Sequence, residues 1–210
     1  MSPEITVNIQ SSIRIAGQNR VIRFDPYRIT GEPHDTDIIF ITHAHYDHFS
    51  PDDIRKVSKP GTVIAAPKKA EKQLAQLGMT ETVLFAPGES GEVQGILTEA
   101  VAAYNILKPF HPKSDGGLGY VITVDGQRIY AAGDTDAVKE AKAVRCDIAL
   151  VPVGGTYTMN AKDAAALVNV IRPRLAIPVH YGSIAGKPGD GEAFRQLVDS
   201  DIAVKLLLTV

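Results

Sequence analysis

The first forty residues alternate apolar and polar positions. "ITVNI" (5–9) has the period of two expected of a half-buried strand. "SIRIAGQNRVIRF" (12–24) is two such runs around Gly17-Gln18-Asn19, a turn signal that predicts a hairpin. "DIIFIT" (37–42) is instead a continuous β-branched apolar run, the pattern of a strand buried on both faces.

Helical patterns then interleave. "SPDDIRKV" offers Ser50 as N-cap, Pro51 at the first helical position, and Asp52 and Asp53 in the first turn. "APKKAEKQLAQLG" has Pro67 near its start and Gly78 as its stop, "NAKDAAALVNVI" follows Asn160 as a cap, and "GDGEAFRQLVDS" is a late amphipathic helix. Between them lie the strand candidates "TVIAA", "TVLFA", "ILTEAVAA", "GYVITV", "RIYAA", "DIALVPV", "LAIPV" and the terminal "AVKLLLTV". Many strands with a few helices, opening on antiparallel hairpins, predict a layered α/β protein. No Pro/Gly/Ser-rich joint, repeat or low-complexity tract divides the chain, so one domain over 1–210 is expected.

Polar residues of functional type recur just past the apolar runs. "DIIFIT" leads into His43, His45, Asp47 and His48; "RIYAA" into Gly133 and Asp134; "LAIPV" into His180 and Tyr181; "DIALVPV" into Gly154 and Gly155; "AAYNILKPF" into His111. Loops leaving one sheet edge can converge on a single site. Five of the six histidines occupy such positions; the sixth, His34 in a turn-rich stretch, is read as solvated.

Imidazoles at i and i+2 of an extended segment project to one side, so His43 and His45 are placed to grip one metal ion. His111 is the natural third ligand. Asp47, His48 and His180 suit a second ion, and Asp134 could face both with its two oxygens. Imidazole and carboxylate suit Zn²⁺, and also Fe or Mn. Burying so many polar groups without partners would cost about 1–3 kcal/mol each.

Composition narrows the function classes. The chain has 210 residues, 44% hydrophobic and 22% charged, with a net charge of −2. That leaves no basic footprint for long nucleic acid or an anionic membrane. A lone Cys146 excludes an intramolecular disulfide and reads as a small apolar residue entering a strand. No run approaches the length of a membrane helix, and "MSPEITVNIQ" lacks the marks of a leader, so a cytoplasmic location is expected.

"THAHYDH" (42–48) resembles the HxHxDH signature of the metallo-β-lactamase superfamily. "HPKSDGGLGYVI" (111–122), "YAAGDTD" (130–136) and "IPVHYG" (177–182) resemble its later motifs, with His111, Asp134 as bridging carboxylate, and His180 as ligands. With "VPVGGTYTM" they are similar to the small metal-dependent hydrolases related to ascorbate-6-phosphate lactonase. The resemblance implies a four-layer αββα sandwich: two mixed sheets face to face, helices outside, and the metals in a groove along one sheet edge. His45 stands where the di-iron reductases of the superfamily carry a glutamate, and no flavodoxin-like or RNA-processing module is evident.

The implied cofactors are two divalent ions, zinc or else Mn or Fe. The implied chemistry is a metal-activated water attacking a small-molecule ester, lactone or phosphoester, with Asp47 orienting the water. A phosphodiesterase acting on nucleotides, a mononuclear iron oxidoreductase and a non-catalytic metal-binding domain are the alternatives. Tyr46, Lys113, Tyr157 and Tyr181 are candidate contacts to a substrate that could be anionic, as is Lys187. Asp25, in "RFDPY", is either a support for a ligand histidine or a turn residue before Pro26. Gly154 and Gly155 are expected to shape a close turn, since no phosphate-loop pattern follows.

Overall fold

The computed structural model describes residues 2–78 and 81–208. Strands β1 (Glu4–Val7), β2 (Ile13–Ala16), β3 (Val21–Phe24) and β4 (Thr36–Phe40) lead into helix α1 (Pro51–Val57). Strand β5 (Ser58–Pro67), a 3-10 turn (Lys68–Ala70) and helix α2 (Glu71–Ala75) follow. Next come β6 (Thr82–Phe85), β7 (Ser90–Val93), β8 (Ile96–Ala102), β9 (Leu118–Val124) and β10 (Gln127–Ala131). The chain then forms α3 (Lys139–Lys142), β11 (Ile148–Pro152), α4 (Ala161–Ile171), β12 (Leu175–Val179), α5 (Asp190–Leu197) and β13 (Ala203–Val204).

The strands form two mixed sheets, in the orders β1-β2-β3-β4-β5-β6 and β13-β12-β11-β10-β9-β8-β7. The predicted hairpin is β2–β3, antiparallel from Ile13 opposite Phe24 to Ala16 opposite Val21. Continuous apolar runs mark the strands covered on both sides. In β4 and just past it, Ile38 and Phe40 face the second sheet, while Ile39 and Ile41 face outward under α1 and α2 with Ile54, Val57 and Leu74. Strand β5 splits the same way, Val63 and Ala65 inward and Ile64 and Ala66 outward. Leu167 and Val168 of α4 and Phe194 of α5 join the core of the second sheet. This is the αββα arrangement.

The sheets are pinned together beside the histidine-rich loop. Phe40 lies 5.0 Å from both the Phe24 and Tyr120 rings. The buried Tyr120 hydroxyl donates to the Ile41 carbonyl at 2.9 Å, and the Leu118 N–H donates to the Thr42 carbonyl at 2.9 Å. Each fully buried side chain of this size contributes about 1.5–3 kcal/mol. The end of β4 is therefore fixed before the loop begins.

Some elements depart from the sequence expectation. Pro67 closes β5, paired with Phe85, and the helix expected from there is a 3-10 turn followed by a short α2. Strand β7, "SGEV", carries too little apolar pattern to read alone and is held by its hairpin with β8. The four-residue α3 was likewise not anticipated. Of "AVKLLLTV" only Ala203–Val204 is a strand; Leu208 makes an isolated bridge to Val7, and residues 209 and 210 lie outside the described residues.

Candidate metal centre

After β4 the chain stays extended through Thr42 and then turns. The His48 and Phe49 N–H groups both donate to the His45 carbonyl, and Ser50 caps α1 by accepting from the Asp53 N–H. This tight turn brings His43, His45, Asp47 and His48 round one focus. Asp134 follows β10 through Gly133, whose φ is +65° and whose added Cβ would lie 2.7 Å from the Leu118 carbonyl oxygen. Only glycine permits that approach. His180 follows β12 directly. Gly154 lies so close that an added Cβ would sit 2.3 Å from the His180 oxygen, which makes it a packing position, as expected.

His111 does not sit at a strand end. Strand β8 stops at Ala102, and a loop carries the chain on to it. The buried Asn105 shapes this loop by donating to the carbonyls of Phe110 and Tyr157 at 2.9 and 2.6 Å. His111 and His180 both adopt left-handed backbone, at φ 55° and 58°. Non-glycine residues held there cost about 1–3 kcal/mol each and cluster at functional sites.

The side chains form two adjoining groups. His45 Nδ1 lies 3.0 Å from His43 Nε2 and 2.9 Å from His111 Nε2. Asp47 Oδ2 lies 3.5 Å from His48 Nε2 and 3.4 Å from His180 Nε2. Asp134 touches both groups: one oxygen is 3.4 Å from His48 Nε2, and the other is 3.5 Å from His111 Nε2 and 3.3 Å from His180 Nε2. All seven residues singled out in the sequence are thus brought together. Their ligand atoms fall into compact sets that could hold cations: His43, His45 and His111; His43, His48 and Asp134; and Asp47, His48 and His180.

The imidazoles are set in one sense. His43 Nδ1 lies 3.0 Å from the Thr42 hydroxyl, His48 Nδ1 donates to Asp25 at 2.7 Å, and His111 Nδ1 donates to the Tyr157 carbonyl at 3.2 Å. In each case the outward nitrogen is engaged, which turns Nε2 inward. Asp25 is both things the sequence allowed. It turns the chain at φ 44°, and its buried carboxylate accepts from the Thr42 N–H at 2.8 Å and hydroxyl at 2.6 Å as well as from His48.

The cluster's electrostatics are those of groups waiting for a charge. Burial and then the neighbouring His48 push His43 well below its ordinary pKa, leaving it neutral. Burial opposes charge on Asp134, yet His180 and His48 hold it well below the usual carboxylate range. Burial also opposes charge on His48, which Asp134 and Asp25 hold well above its ordinary value. His48 Nε2 and Asp134 Oδ1 are buried without a hydrogen-bond partner. Orphaned atoms that converge from imidazole and carboxylate are the donor set that a divalent cation satisfies.

Two cavities flank the cluster and share His45, His111 and Asp134. The larger, about 430 Å³, is also lined by Lys69, Gln73, Ser114 and Asp115. The smaller, about 260 Å³, is lined by Tyr46, Phe110, Tyr157 and Ile184. Tyr46 and Tyr157 therefore stand where a substrate could meet them. Lys113 and Tyr181 do not. Lys113 pairs with Glu140 at 2.9 Å and lies over the Tyr104 ring, lining a different cavity. Tyr181 is buried in the core, packed against Gly186 and Gly191. Lys187 lines neither cavity, and its backbone N–H closes a turn onto Asp190. His34 is exposed and bonded to the Ser58 carbonyl, as a solvated residue would be.

Sequence reasoning missed Gln10, Lys69, Gln73 and Phe110. Gln10 is fully buried after β1, accepts the His180 N–H through its carbonyl, and brings its amide to 3.5 Å from His180 Nε2. A polar residue between two alternating strands gives no local sign of such a role. Lys69 falls in the stretch expected to be helical, where nothing local marks it.

The profile described as "Beta-lactamase superfamily domain" matches residues 4–180. The chain belongs to the beta-lactamase superfamily. Within the superfamily it is 32% identical over 216 residues to a metal-dependent hydrolase of Thermococcus onnurineus, covering 94% of this chain and 92% of that protein. A crystal structure from Parabacteroides distasonis, described as a proposed metal-dependent hydrolase, superposes with a TM-score of 0.83 at 32% identity, covering 99% and 94% of the two chains. Igni18, a metallo hydrolase from Ignicoccus hospitalis, shares the fold with a TM-score of 0.82 at 24% identity, covering 98% and 95%. The Thermococcus and Parabacteroides relatives place the chain among the superfamily's metal-dependent hydrolases. Among the described residues no helix is long and apolar enough to cross a membrane.

Proposed function

We propose that the protein hydrolyses an ester, lactone or phosphoester bond of a small molecule, using two divalent metal ions. His43, His45 and His111 would hold one ion; Asp47, His48 and His180 the other; Asp134 would face both. One observation carries this reading: a single buried carboxylate lies within 3.5 Å of the Nε2 atoms of His48, His111 and His180, and so touches both groups. When bound, such a pair of ions supplies hydroxide near neutral pH and a Lewis acid for the oxygen of the scissile group. Zinc fits the donor set, and Mn or Fe would also be accepted.

The chain's own residues do the rest. Thr42, Asp25 and the Tyr157 carbonyl keep three imidazoles in the correct tautomer. Asp47 places one oxygen between His48 and His180, and its other oxygen can accept a hydrogen bond from the attacking water and orient it. Burial works against charge on Asp47, but the His180 hydrogen bond and His48 hold its carboxyl below the ordinary value, so it remains an acceptor at neutral pH. The substrate enters through the two flanking cavities.

A nucleotide phosphodiester is the second reading, favoured by a cavity whose Tyr46, Phe110 and Tyr157 rings could stack on a base. A mononuclear iron oxidoreductase fits less well, because the Asp47–His48–His180 group would then have no occupant. The test is to strip the protein with chelator and assay it against esters, lactones and bis-p-nitrophenyl phosphate, with and without added Zn²⁺ or Mn²⁺. Metal-dependent turnover of one bond class supports the reading. Turnover of none, or oxygen uptake with one iron per chain, overturns it.

A further inference from the structure

The two cavities beside the cluster are unlike in chemistry. The smaller presents ring faces and an aliphatic side chain: Phe110 and Tyr157 meet edge to face at 4.7 Å, and Tyr46 leans on Tyr27 at 6.1 Å. Tyr46 is 63% exposed and Phe110 43%, large apolar areas left open at the mouth of a catalytic groove. The larger cavity presents an amine, an amide, a hydroxyl and a carboxylate from Lys69, Gln73, Ser114 and Asp115.

Among the described residues, Lys69 is the only lysine or arginine lining either cavity. Its neighbour Lys68 is paired with Glu89 at 2.6 Å, whereas Lys69 makes no ion pair among the described residues. Its stem crosses to the His111 loop, where a Cβ on Gly116 would lie 3.0 Å from Lys69 Cγ. The next residue, Gly117, sits over His43, with an added Cβ 3.9 Å from the His43 Cβ. The Lys69 stem thus stands on the His43 side of the cluster, lining the same cavity as His43. The rings stand on the Asp47–His180 side, since Asp47 and His180 line the smaller cavity and His43 the larger.

We infer that the substrate has two unlike arms joined at the scissile bond. An aromatic arm lies against Phe110, Tyr157 and Tyr46, and an anionic, hydrogen-bonding arm reaches Lys69, Gln73 and Ser114. Asp115 accepts from a donor group on that second arm. The bond that breaks lies over His45, His111 and Asp134, the residues common to both cavities. This rests on the hydrolytic reading above and names its substrate class. Ring contacts select the aromatic arm through area and face geometry; the lysine, exposed at the cavity rim with Gln73 and Ser114, selects the anion by charge and hydrogen bonding.

A substrate cycle tests it. Benzyl hydrogen succinate carries both arms, methyl hydrogen succinate the anion alone, benzyl butyrate the ring alone, and methyl butyrate neither. Benzyl and methyl alcohols leave with similar ease, so kcat/KM ratios report binding of the arm. In the metal-loaded protein the benzyl preference should reach at least about 10-fold, and the carboxylate preference about 2- to 5-fold, the size of an exposed ion pair. Phe110→Ala and Tyr157→Ala should erase the benzyl preference and keep the carboxylate one; Lys69→Ala should do the reverse. N-benzylsuccinamate compared by calorimetry with N-methylsuccinamate reads the benzyl preference without turnover, and compared with N-benzylbutyramide reads the carboxylate preference, on wild type and the same variants. If no ester is hydrolysed but benzylsuccinamate binds with these sensitivities, the arms stand and the ester reading falls. Ratios near one in binding, or variants that leave both ratios unchanged, overturn the inference.

Discussion

Asp25 offers the sharpest perturbation, because its carboxylate touches no candidate ligand atom that points into the cluster yet sets one of them. It is fully buried and accepts three hydrogen bonds, from the Thr42 N–H, the Thr42 hydroxyl and His48 Nδ1, at 2.8, 2.6 and 2.7 Å. Asp25→Ala leaves a buried N–H and an imidazole N–H without acceptors. Burial itself raises the carboxyl's pKa, so part of the loss is offset by removing an expensive charge. The net cost expected is about 3 kcal/mol of stability, read by urea unfolding of the metal-free protein. Asp25→Asn should separate structure from function. Its amide can still face Thr42, but its NH₂ would turn His48 Nδ1 into an acceptor and put the proton on Nε2. Stability should fall less than in the alanine variant, while affinity for the second ion drops about 10–100-fold in a chelator competition. Metal affinities within twofold of wild type in both variants would refute the assignment of His48 Nε2 as an inward ligand atom.

Further outcomes follow from other positions. Gly154→Ala should push the His180 carbonyl aside, lowering stability by about 1–3 kcal/mol and weakening one metal site; unchanged metal content would show that the loop has room to move. Burial, and then Asp147, push the Cys146 thiol up to about 12. At pH 8 its reaction with a disulfide reagent should be at least about 100-fold slower in the folded protein than in urea, and a fast reaction in native buffer would contradict this. Asp53 accepts from the Arg28 and Ile29 N–H groups and from Ser50 and Lys56; burial opposes its charge, but these contacts lower its pKa. Its contribution is therefore present above the unfolded carboxylate pKa and lost as pH falls through the lower folded value. Asp53→Asn should cost about 2 kcal/mol at pH 7 and progressively less below about pH 4, and a pH-independent difference would argue against it. Lys113→Ala should leave kcat/KM within about twofold, since the side chain is spent on Glu140 and Tyr104 outside both cavities.

The sequence was legible where chemistry is local. Alternation marked β1 to β3, Ser50-Pro51 and Asn160 marked two helix starts, and three histidines with an aspartate in six positions announced a cluster. The convergence of His111, Asp134 and His180 on that segment was anticipated from loops at strand ends, and the two-sheet sandwich from family resemblance. What was illegible depends on the fold as a whole. Strand β7 exists because β8 offers it an edge, not because "SGEV" favours extension. The His111 loop gains its shape from Asn105 bonding to Tyr157, 52 residues away. Nothing local in the sequence separates Lys69 from Lys113, and only their surroundings distinguish a rim cation with no ion pair among the described residues from one neutralised by Glu140. Gln10 reaches His180 across 170 residues of chain, a distance no local pattern encodes.

The most direct measurement is metal stoichiometry by mass spectrometry after the stripped protein is reloaded with Zn²⁺ and desalted, alongside His48→Ala. Two equivalents in wild type and about one in the variant are expected if His43–His45–His111 and Asp47–His48–His180 hold separate ions spanned by Asp134. One equivalent in wild type, or two in the variant with full catalytic rate, would contradict the paired centre.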